Sequence, residues 1–304
     1  MAENKKQKCI LNIKSQFIIK ELFSYTHKKR TLDIIIYNKQ LQKIIEVDIE
    51  NYIENYKKIN GKYKIIEKNG KGREFKLNNN LKIDYLLFEG EYKKGKRNGK
   101  GKEYDYQGKI KFEGEYKKGK RNGKGKEFYF NGKKQFEGSY FNGKKWDGIG
   151  YKKNSEIVYK INNGEGQIKE YYYYGGQLEF EGEYLNGERN GKGKEYYKNG
   201  KLLFEGEYLN GERNGKGKEY YDNGNLQYVG EYLNGKRNGK GKEYDYCGKI
   251  KFEGEYKNGE KFDIGKKYND NGELEYEGEY LNGRRNGKGK EYNDNGELKY
   301  EGEY

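Results

Sequence analysis

The chain has 304 residues, of which 32% are hydrophobic and 37% are charged, so its composition excludes a large packed core. Low hydrophobicity with a net charge of +15 is typical of disordered chains, but 35 Tyr and 13 Phe residues supply aromatic surface that favours folding. Proline is absent and 46 glycines are present, which predicts turns built from Gly and Asn, the residues that tolerate positive φ.

The number of cysteines and the distribution of charge limit the cellular compartment and the kinds of partner that can be expected. Cys9 and Cys247 alone cannot build a disulfide framework or a four-ligand zinc site, so a reducing, cytoplasmic location is expected. Charged residues interrupt the first apolar stretch, and neither a signal peptide nor a membrane span is predicted. Residues 1–135 carry 35 Lys and Arg against 17 Asp and Glu, or +18, whereas residues 136–304 carry 29 against 32, or −3. The basic character therefore belongs to one end of the chain.

Residues 1–62 differ from the rest of the chain. Their apolar residues recur at helical spacing, with Ser15 as an N-cap, which predicts a small bundle of two to four helices. This α-helical N-terminal cap would cover the first strand of the array that follows. The sole histidine, His27, lies in a charged junction between two helical runs and is interpreted as a solvated surface residue.

Residues 63–304 repeat a unit of 24 residues that opens with an aromatic-x-Gly-x-Tyr phrase. One interval, between Phe136 and Phe180, is 44 residues long and accommodates a shortened unit that opens at Tyr159. Tyr63 opens another shortened copy. The predicted units begin at residues 63, 88, 112, 136, 159, 180, 204, 228, 252 and 276, with a partial unit at 300.

Each unit has the pattern of a β-hairpin. Phe180, Gly182 and Tyr184 alternate with Glu181 and Glu183, so the two sets are expected on opposite faces of a strand. Two Asn-Gly pairs, four residues apart in N-G-x-R-N-G, predict the hairpin turn, and a second turn leads into the next unit. Because lone hairpins are marginal in water, stacking is expected. The predicted fold class is mainly β, one elongated antiparallel meander of tandem β-hairpin repeats behind the helical cap.

This unit resembles the MORN repeat (membrane occupation and recognition nexus), and its variant form in particular. The resemblance spans about residues 63–304, and three units depart from it: 145–150, 261–265 and the shortened unit at Tyr159. The matching positions of one unit are Phe180, Gly182, Tyr184, Gly187, Gly191, Gly193, Tyr196 and Tyr197.

The resemblance implies a scaffold at membranes or the cytoskeleton, a tendency to dimerise, and binding to acidic phospholipids. We expect a non-enzymatic protein without cofactors, because the residues offer no catalytic or cofactor-binding pattern. Residues 1–62 are loosely similar to an F-box-type adaptor segment, although they lack its usual Leu-Pro start. A homodimer through the last strand, residues 300–304, is a further expectation, because an edge strand offers unpaired backbone groups.

Catalytic and phosphate-binding chemistry is not predicted. In the glycine-rich phrase, Gly187 and Gly191 stand one residue too close for a P-loop, and neither Ser nor Thr follows Lys192. Paired carboxylates such as Glu181 and Glu183 recur in most units beside cross-strand lysines, which indicates surface ion pairs.

Metal binding is not predicted either. A calcium loop counted from Asp270 would end on Leu281 instead of a glutamate, and one counted from Asp294 would overrun residue 304. Both segments are interpreted as hairpin turns.

The basic end offers the best candidate for an electrostatic contact, because its cations repeat at 24 residues and stacked turns would align them. A solvated face is the alternative, since Glu89, Glu91, Glu113 and Glu115 lie close by in sequence. The candidate residues are Lys93, Lys94, Lys96, Arg97, Lys100, Lys102, Lys117, Lys118, Lys120, Arg121, Lys124 and Lys126.

Three functions remain open on these grounds. The first is a scaffold for an unknown protein partner, the second is peripheral binding to an acidic membrane through the basic units, and the third is an F-box-like ubiquitin-ligase adaptor. The expected location is cytoplasmic, or peripheral at a membrane or the cytoskeleton. Nucleic acid is not expected as a partner, because the rings take packing positions, and any such contact would be confined to the first three units.

Overall fold

A computed structural model describes residues 62–67, 69–77 and 83–304. The helical cap predicted for residues 1–62 falls almost wholly outside the described residues. The chain divides into two compact units, one of Met1–Ile65 with Arg73–Leu87 and one of Ile66–Gly72 with Phe88–Tyr304. The described part contains strands and turns, and it holds no helix long and apolar enough to cross a membrane.

Consecutive strands pair antiparallel in two sheets, which confirms the predicted meander of hairpins. The first sheet takes its strands in chain order: β1 Lys62–Ile66, β2 Lys71–Leu77, β3 Ile83–Lys93, β4 Lys96–Tyr104, β5 Ile110–Lys117, β6 Lys120–Phe128, β7 Lys134–Phe141, β8 Lys144–Tyr151 and β9 Ile157–Ile161. The second continues with β10 Gly166–Tyr171, β11 Leu178–Leu185, β12 Glu188–Tyr196, β13 Leu202–Leu209, β14 Glu212–Tyr220, β15 Leu226–Leu233, β16 Lys236–Tyr244, β17 Ile250–Lys257, β18 Glu260–Tyr268, β19 Leu274–Leu281, β20 Arg284–Tyr292 and β21 Leu298–Glu303.

The two Asn-Gly pairs of a unit have different roles, which corrects the expectation that both form the turn. Asn186 and Gly187 join β11 to β12 with φ of 54° and 74°, the two positive values that a type I′ hairpin turn requires. The second pair, at 190–191, lies inside β12, where three residues stand opposite Glu183 between the paired positions of β11. This pair therefore forms a β-bulge, and Gly191, with φ of 76°, provides its unusual backbone.

The core of each unit is an aromatic ring lying on glycine. Phe204 is fully buried, and a Cβ on Gly217 would stand 2.6 Å from its ring. Tyr208 and Tyr232 meet Phe204 edge to face at 5.6 and 5.3 Å between ring centroids. Because the second tyrosine comes from the following unit, each ring joins its own hairpin to the next. Burying such a ring contributes about 1.5–3 kcal/mol, and each edge-to-face pair adds roughly 0.5–1.5 kcal/mol.

The sequence predicted one continuous meander. The structure instead has a break in the strand ladder between β9 and β10, at the shortened unit. Here Gly150 stands opposite Phe136, where most other units carry a glutamate, and the ring of Tyr159 fills the space that a Cβ on Gly150 would need. A short turn then leads into β10, which pairs with β11. Ile161 and Ile168 pack in one cluster across the break, so the aromatic core is joined where the backbone ladder is not.

Substituting Gly206 by Ala tests the ring-on-glycine packing. The new Cβ would stand 2.7 Å from the Phe204 ring and from the Cα of Gly217, so overpacking is expected to cost about 2–3 kcal/mol. Gly224→Ala is the control, because no atom lies within 4 Å of its Cβ and only the strain of φ +98°, about 1 kcal/mol, remains. Thermal unfolding followed by circular dichroism compares them. Equal midpoints would contradict the packing argument.

Candidate interaction surface

The arginine of each unit lies on the aromatic face rather than in solvent. Arg213 stands 4.0 Å above the centre of the Phe204 ring and is paired with Glu195 of the preceding unit, at 2.7 Å, and Glu219 of its own, at 2.6 Å. The same stacking recurs at Arg97, Arg121, Arg189, Arg237 and Arg285. Arg97 and Arg121 are thus half-buried and bound to internal glutamates, so the structure does not place them with the exposed lysines of the predicted basic stripe.

Carboxylates between these arginines are held ionised. Burial by itself raises the pKa of Glu195, but the Arg213 guanidinium, the Tyr208 hydroxyl that donates to it at 2.7 Å, and Arg189 together hold that pKa below its usual value. Glu103 has the same surroundings, with Arg121 and Tyr116 in the corresponding places. The glutamate is therefore the acceptor that links neighbouring units on this face.

Two units carry lysine in place of this arginine. Burial opposes the charge of Lys145, but the Glu127 carboxylate 2.9 Å away outweighs it and raises the pKa of Lys145 well above its usual value. Burial lowers the pKa of Lys261, and its partner Glu243 at 3.4 Å only partly offsets this, because Lys267 adds a like charge. Both substitutions fall in the units that the sequence marks as irregular.

Six of the predicted basic residues are brought together at the hairpin turns. They are exposed, and the turns are held in register because the amide of Gly119 donates to the carbonyl of Arg97 at 2.8 Å. The next turn repeats this bond, from Gly143 to Arg121. The six turn lysines are Lys93, Lys94, Lys96, Lys117, Lys118 and Lys120.

The remaining four lysines of the predicted set lie within strands, opposite other units. Lys100 is paired in register with Glu115, and Lys102 with Glu113. Lys124 stands opposite Ser139 and Lys126 opposite Glu137, whose carboxylate is 3.2 Å from the ammonium of Lys126. These lysines alternate with acids and do not extend the turn lysines into one positive surface.

The face opposite the arginines carries a trough in the second sheet. It has a volume of about 780 Å³ and runs from Val158 to Lys240, and we call it the trough. Between its walls runs a row of glycines, one from each of β11 to β15, paired in register from Gly182 and Gly193 to Gly206 and onwards. Because side chains alternate between the two faces of a strand, the Glu and Lys side chains point to this face, whereas a Cβ on these glycines would point toward the rings. Gly182 and Gly206 are half-buried, and Gly193 and Gly217 are buried.

Alternating charges form the walls of the trough. On one wall Lys194, Glu205 and Lys218 stand opposite one another on successive strands, and Glu205 lies 3.8 and 3.6 Å from the two ammonium groups. These residues were interpreted from the sequence as surface ion pairs, but the trough between them was not predicted. Its signal was available in the E-G-E and K-G-K phrases, which place glycine between two like charges on each of β11 to β14.

Other residues considered in the sequence take structural places. Asn269 accepts from the backbone amides of Asn271 and Glu273, so the segment around Asp270 forms the predicted hairpin turn. Within the described ranges, no group of three or more His, Cys, Asp or Glu side chains is arranged to hold a metal ion. Cys247 is exposed on a turn, and Cys9 and His27 lie outside the described residues.

Replacing Arg213 by Met tests the arginine–glutamate linkage. Loss of the guanidinium leaves Glu195 and Glu219 short of a cation, and about 2 kcal/mol of stability is expected to be lost at pH 7, less than for a fully buried pair because the partners are 16–20% exposed. Glu195 has a folded pKa below its unfolded value of about 4.3, so its contribution is present above that pH and disappears as the pH falls through the folded pKa.

The difference between wild type and Arg213→Met should therefore shrink on acidification, as measured by thermal unfolding between about pH 7 and pH 3. Arg213→Lys is the matched control, because Lys145 and Lys261 hold this place naturally. A difference that stays constant with pH would contradict the role of the ionised glutamates.

Comparison with known families agrees with this geometry. The MORN repeat family matches residues 88–109, 112–134, 180–201, 204–226, 228–246 and 276–297, and the MORN repeat variant matches residues 264–282. No match supports the F-box likeness of residues 1–62, and no curated protein was found that matches the chain. MORN repeats are generally a non-catalytic repeat family. Each of the six MORN repeat matches begins at a fully buried ring that lies on glycine, and the chain is a MORN repeat protein.

Proposed function

We propose that this protein is a scaffold that holds an extended segment of a partner protein in the trough. The supporting observation is the shape of that surface, a trough lined by Lys and Glu side chains that crosses several consecutive strands. The Lys and Glu stems beside the row add apolar methylene groups within reach of a bound chain. Narrow, elongated concavities of this kind suit a polypeptide in extended conformation.

The charges of the trough indicate the chemistry of the partner. Lys194, Glu205 and Lys218 alternate in sign at the strand spacing of about 4.8 Å, so a segment with charges of one sign would meet repulsion at every second strand. A segment that carries acidic and basic residues can pair with the lysines and with the glutamates of the trough. Exposed ion pairs contribute only about 0–1 kcal/mol, so exchanging them for pairs with the partner costs little.

Leucines on the same strands extend this surface toward the turns. Leu185, Leu209 and Leu233 occupy one position of successive units and are 41–50% exposed. In the first sheet the same position is taken by Lys93, Lys117 and Phe141, and in the second sheet it is taken by Lys257 after Leu233. Because the packing positions keep aromatic residues and glycine, such differences at exposed positions distinguish one part of the array from another, and the run from β11 to β15 is the part suited to a protein contact.

A photo-crosslinking residue at position 218 tests this proposal in the native cell. We expect it to capture one partner, which the same residue at position 198, on an exposed loop, does not capture. With that partner purified, Lys194→Glu combined with Lys218→Glu should weaken binding at least roughly tenfold through like-charge contacts. The matched control is Lys198→Glu with Lys201→Glu, also exposed. Equal capture at both positions, or equal weakening by both pairs, would exclude the trough.

The turn lysines support a second candidate function, contact with an acidic membrane surface. Lys93, Lys94, Lys117 and Lys118 project from two consecutive turns that are held together by a backbone hydrogen bond. Lysines near an anionic bilayer contribute about 1 kcal/mol each, within roughly one Debye length. Two further predictions remain: residues 1–62 act as an F-box-like adaptor, and two copies of the protein pair through β21.

Replacing these four lysines by Gln tests the membrane contact. Co-sedimentation with vesicles containing phosphatidylserine should fall at least about 100-fold in partition coefficient, because roughly 1 kcal/mol is lost at each position. Substituting Lys236, Lys240, Lys242 and Lys249 by Gln changes the net charge equally at exposed sites of the second sheet and should have a smaller effect. Absence of binding by the wild type at low salt would overturn this candidate.

A further inference from the structure

Three loops that are distant in sequence meet at the edge opposite the hairpin turns. They connect β4 to β5, β6 to β7, and β10 to β11. The backbone amide of Phe130 donates to the carbonyl of Tyr173 at 3.2 Å, and the Tyr173 hydroxyl donates to Asp105 at 3.0 Å. In the regular part each loop contacts the next one along the array, as Tyr197 does through the carbonyl of Tyr220. Beside the break, Phe130 also contacts a loop beyond the next one.

Aromatic rings from the three loops form one cluster. The ring of Tyr174 lies 5.3 Å from Phe130, 4.9 Å from Tyr173 and 6.2 Å from Tyr106, measured between centroids. Tyr106 is 54% exposed and Tyr174 is 52% exposed. These two rings are therefore packed at the side and open to solvent, unlike the rings of the repeat core.

Lysines surround this cluster. The ammonium of Lys109 lies 3.5 Å from the centre of the Phe130 ring, and that of Lys111 lies 5.0 Å from the Tyr173 ring. The acid at this place, Asp105, is buried and accepts from two backbone amides as well as from Tyr173. Positive charge is therefore exposed beside the open rings, while the nearby carboxylate is already engaged.

The chain contains a duplicate of one of these loops in other surroundings. Residues 103–116 and 243–256 differ only in Gln107 and Cys247. In the duplicate, Tyr246 is also exposed, but its ring meets Tyr221 and its hydroxyl donates to Asp222. Lys249, the counterpart of Lys109, donates to the carbonyl of Asp270. The cluster at Tyr106 is thus created by the neighbouring loops and not by the local sequence.

We propose that the open rings of Tyr106 and Tyr174, with Lys109 and Lys111, form a binding site for single-stranded nucleic acid. Bases stack on exposed aromatic rings with little regard to sequence, and lysines beside the rings pair with the phosphates. Both components stand together here. The sequence argued against a nucleic-acid partner because its rings were expected to pack between units, whereas these rings lie outside the repeat core.

Fluorescence anisotropy with the full-length protein and a labelled single-stranded oligothymidine of about 12 nucleotides tests this site. We expect binding that weakens as salt rises from about 50 to about 200 mM. Tyr106→Ala with Tyr174→Ala should weaken it roughly tenfold or more through lost stacking. Lys109→Gln with Lys111→Gln should reduce the dependence of affinity on salt, since fewer phosphates are then neutralised.

The duplicated loop provides the controls. Tyr246→Ala, and Lys249→Gln with Lys251→Gln, make the same chemical changes away from the cluster and should leave affinity and salt dependence nearly unchanged. Circular dichroism verifies that every variant keeps its strands. The proposal is overturned if the wild type does not bind at low salt, if the control variants weaken binding as much as the cluster variants, or if neither cluster variant alters it.

Discussion

A ring lying on glycine is the contact on which the sheets depend. A single layer of strands has no second layer to cover it, so each face must be closed by side chains of the sheet itself. The Phe204 ring does this by lying over Gly206 and Gly217, where any Cβ would stand closer than 3.0 Å to it. Tyr232 from the next unit packs edge to face against the Phe204 ring, so the same contact links each hairpin to the next one.

The arginine–glutamate linkage follows from this packing. A buried ring presents a π-face that attracts a guanidinium, and Arg213 above Phe204 then needs carboxylates, which Glu195 and Glu219 supply from two adjacent units. The charged side chains on this face form ion pairs with one another within the sheet. Exposed differences among units are left to the turns, where Lys93 and Leu185 hold the same place, and to the opposite face, where the trough lies.

Periodicity in the sequence predicted the hairpins, the aromatic core and the MORN resemblance, because these rest on contacts within a unit or with the next one. It failed where a choice depended on the assembled sheet. The second Asn-Gly pair has the composition of a turn, yet Gly191 is needed for a bulge beside Glu183. Arg97 and Arg121 were predicted to belong to an exposed basic stripe, but their guanidinium groups lie on aromatic rings. The contact of Tyr173 with Asp105 joins residues 68 positions apart, which no local pattern indicates.

Regularity limits what an array can recognise, because identical units present the same groups at every step. A distinct site requires a departure, and the departures here concentrate where the meander breaks. Glycine at position 150 replaces the usual glutamate, the Tyr159 ring fills the vacated space, and the strand ladder ends. The loop after β10 then reaches Phe130 in addition to its regular neighbour, which it contacts through the Tyr172 hydroxyl and the carbonyl of Tyr196. Shortening one unit thus changes the surroundings of loops whose own sequence is unaltered, as the nearly identical residues 103–116 and 243–256 show.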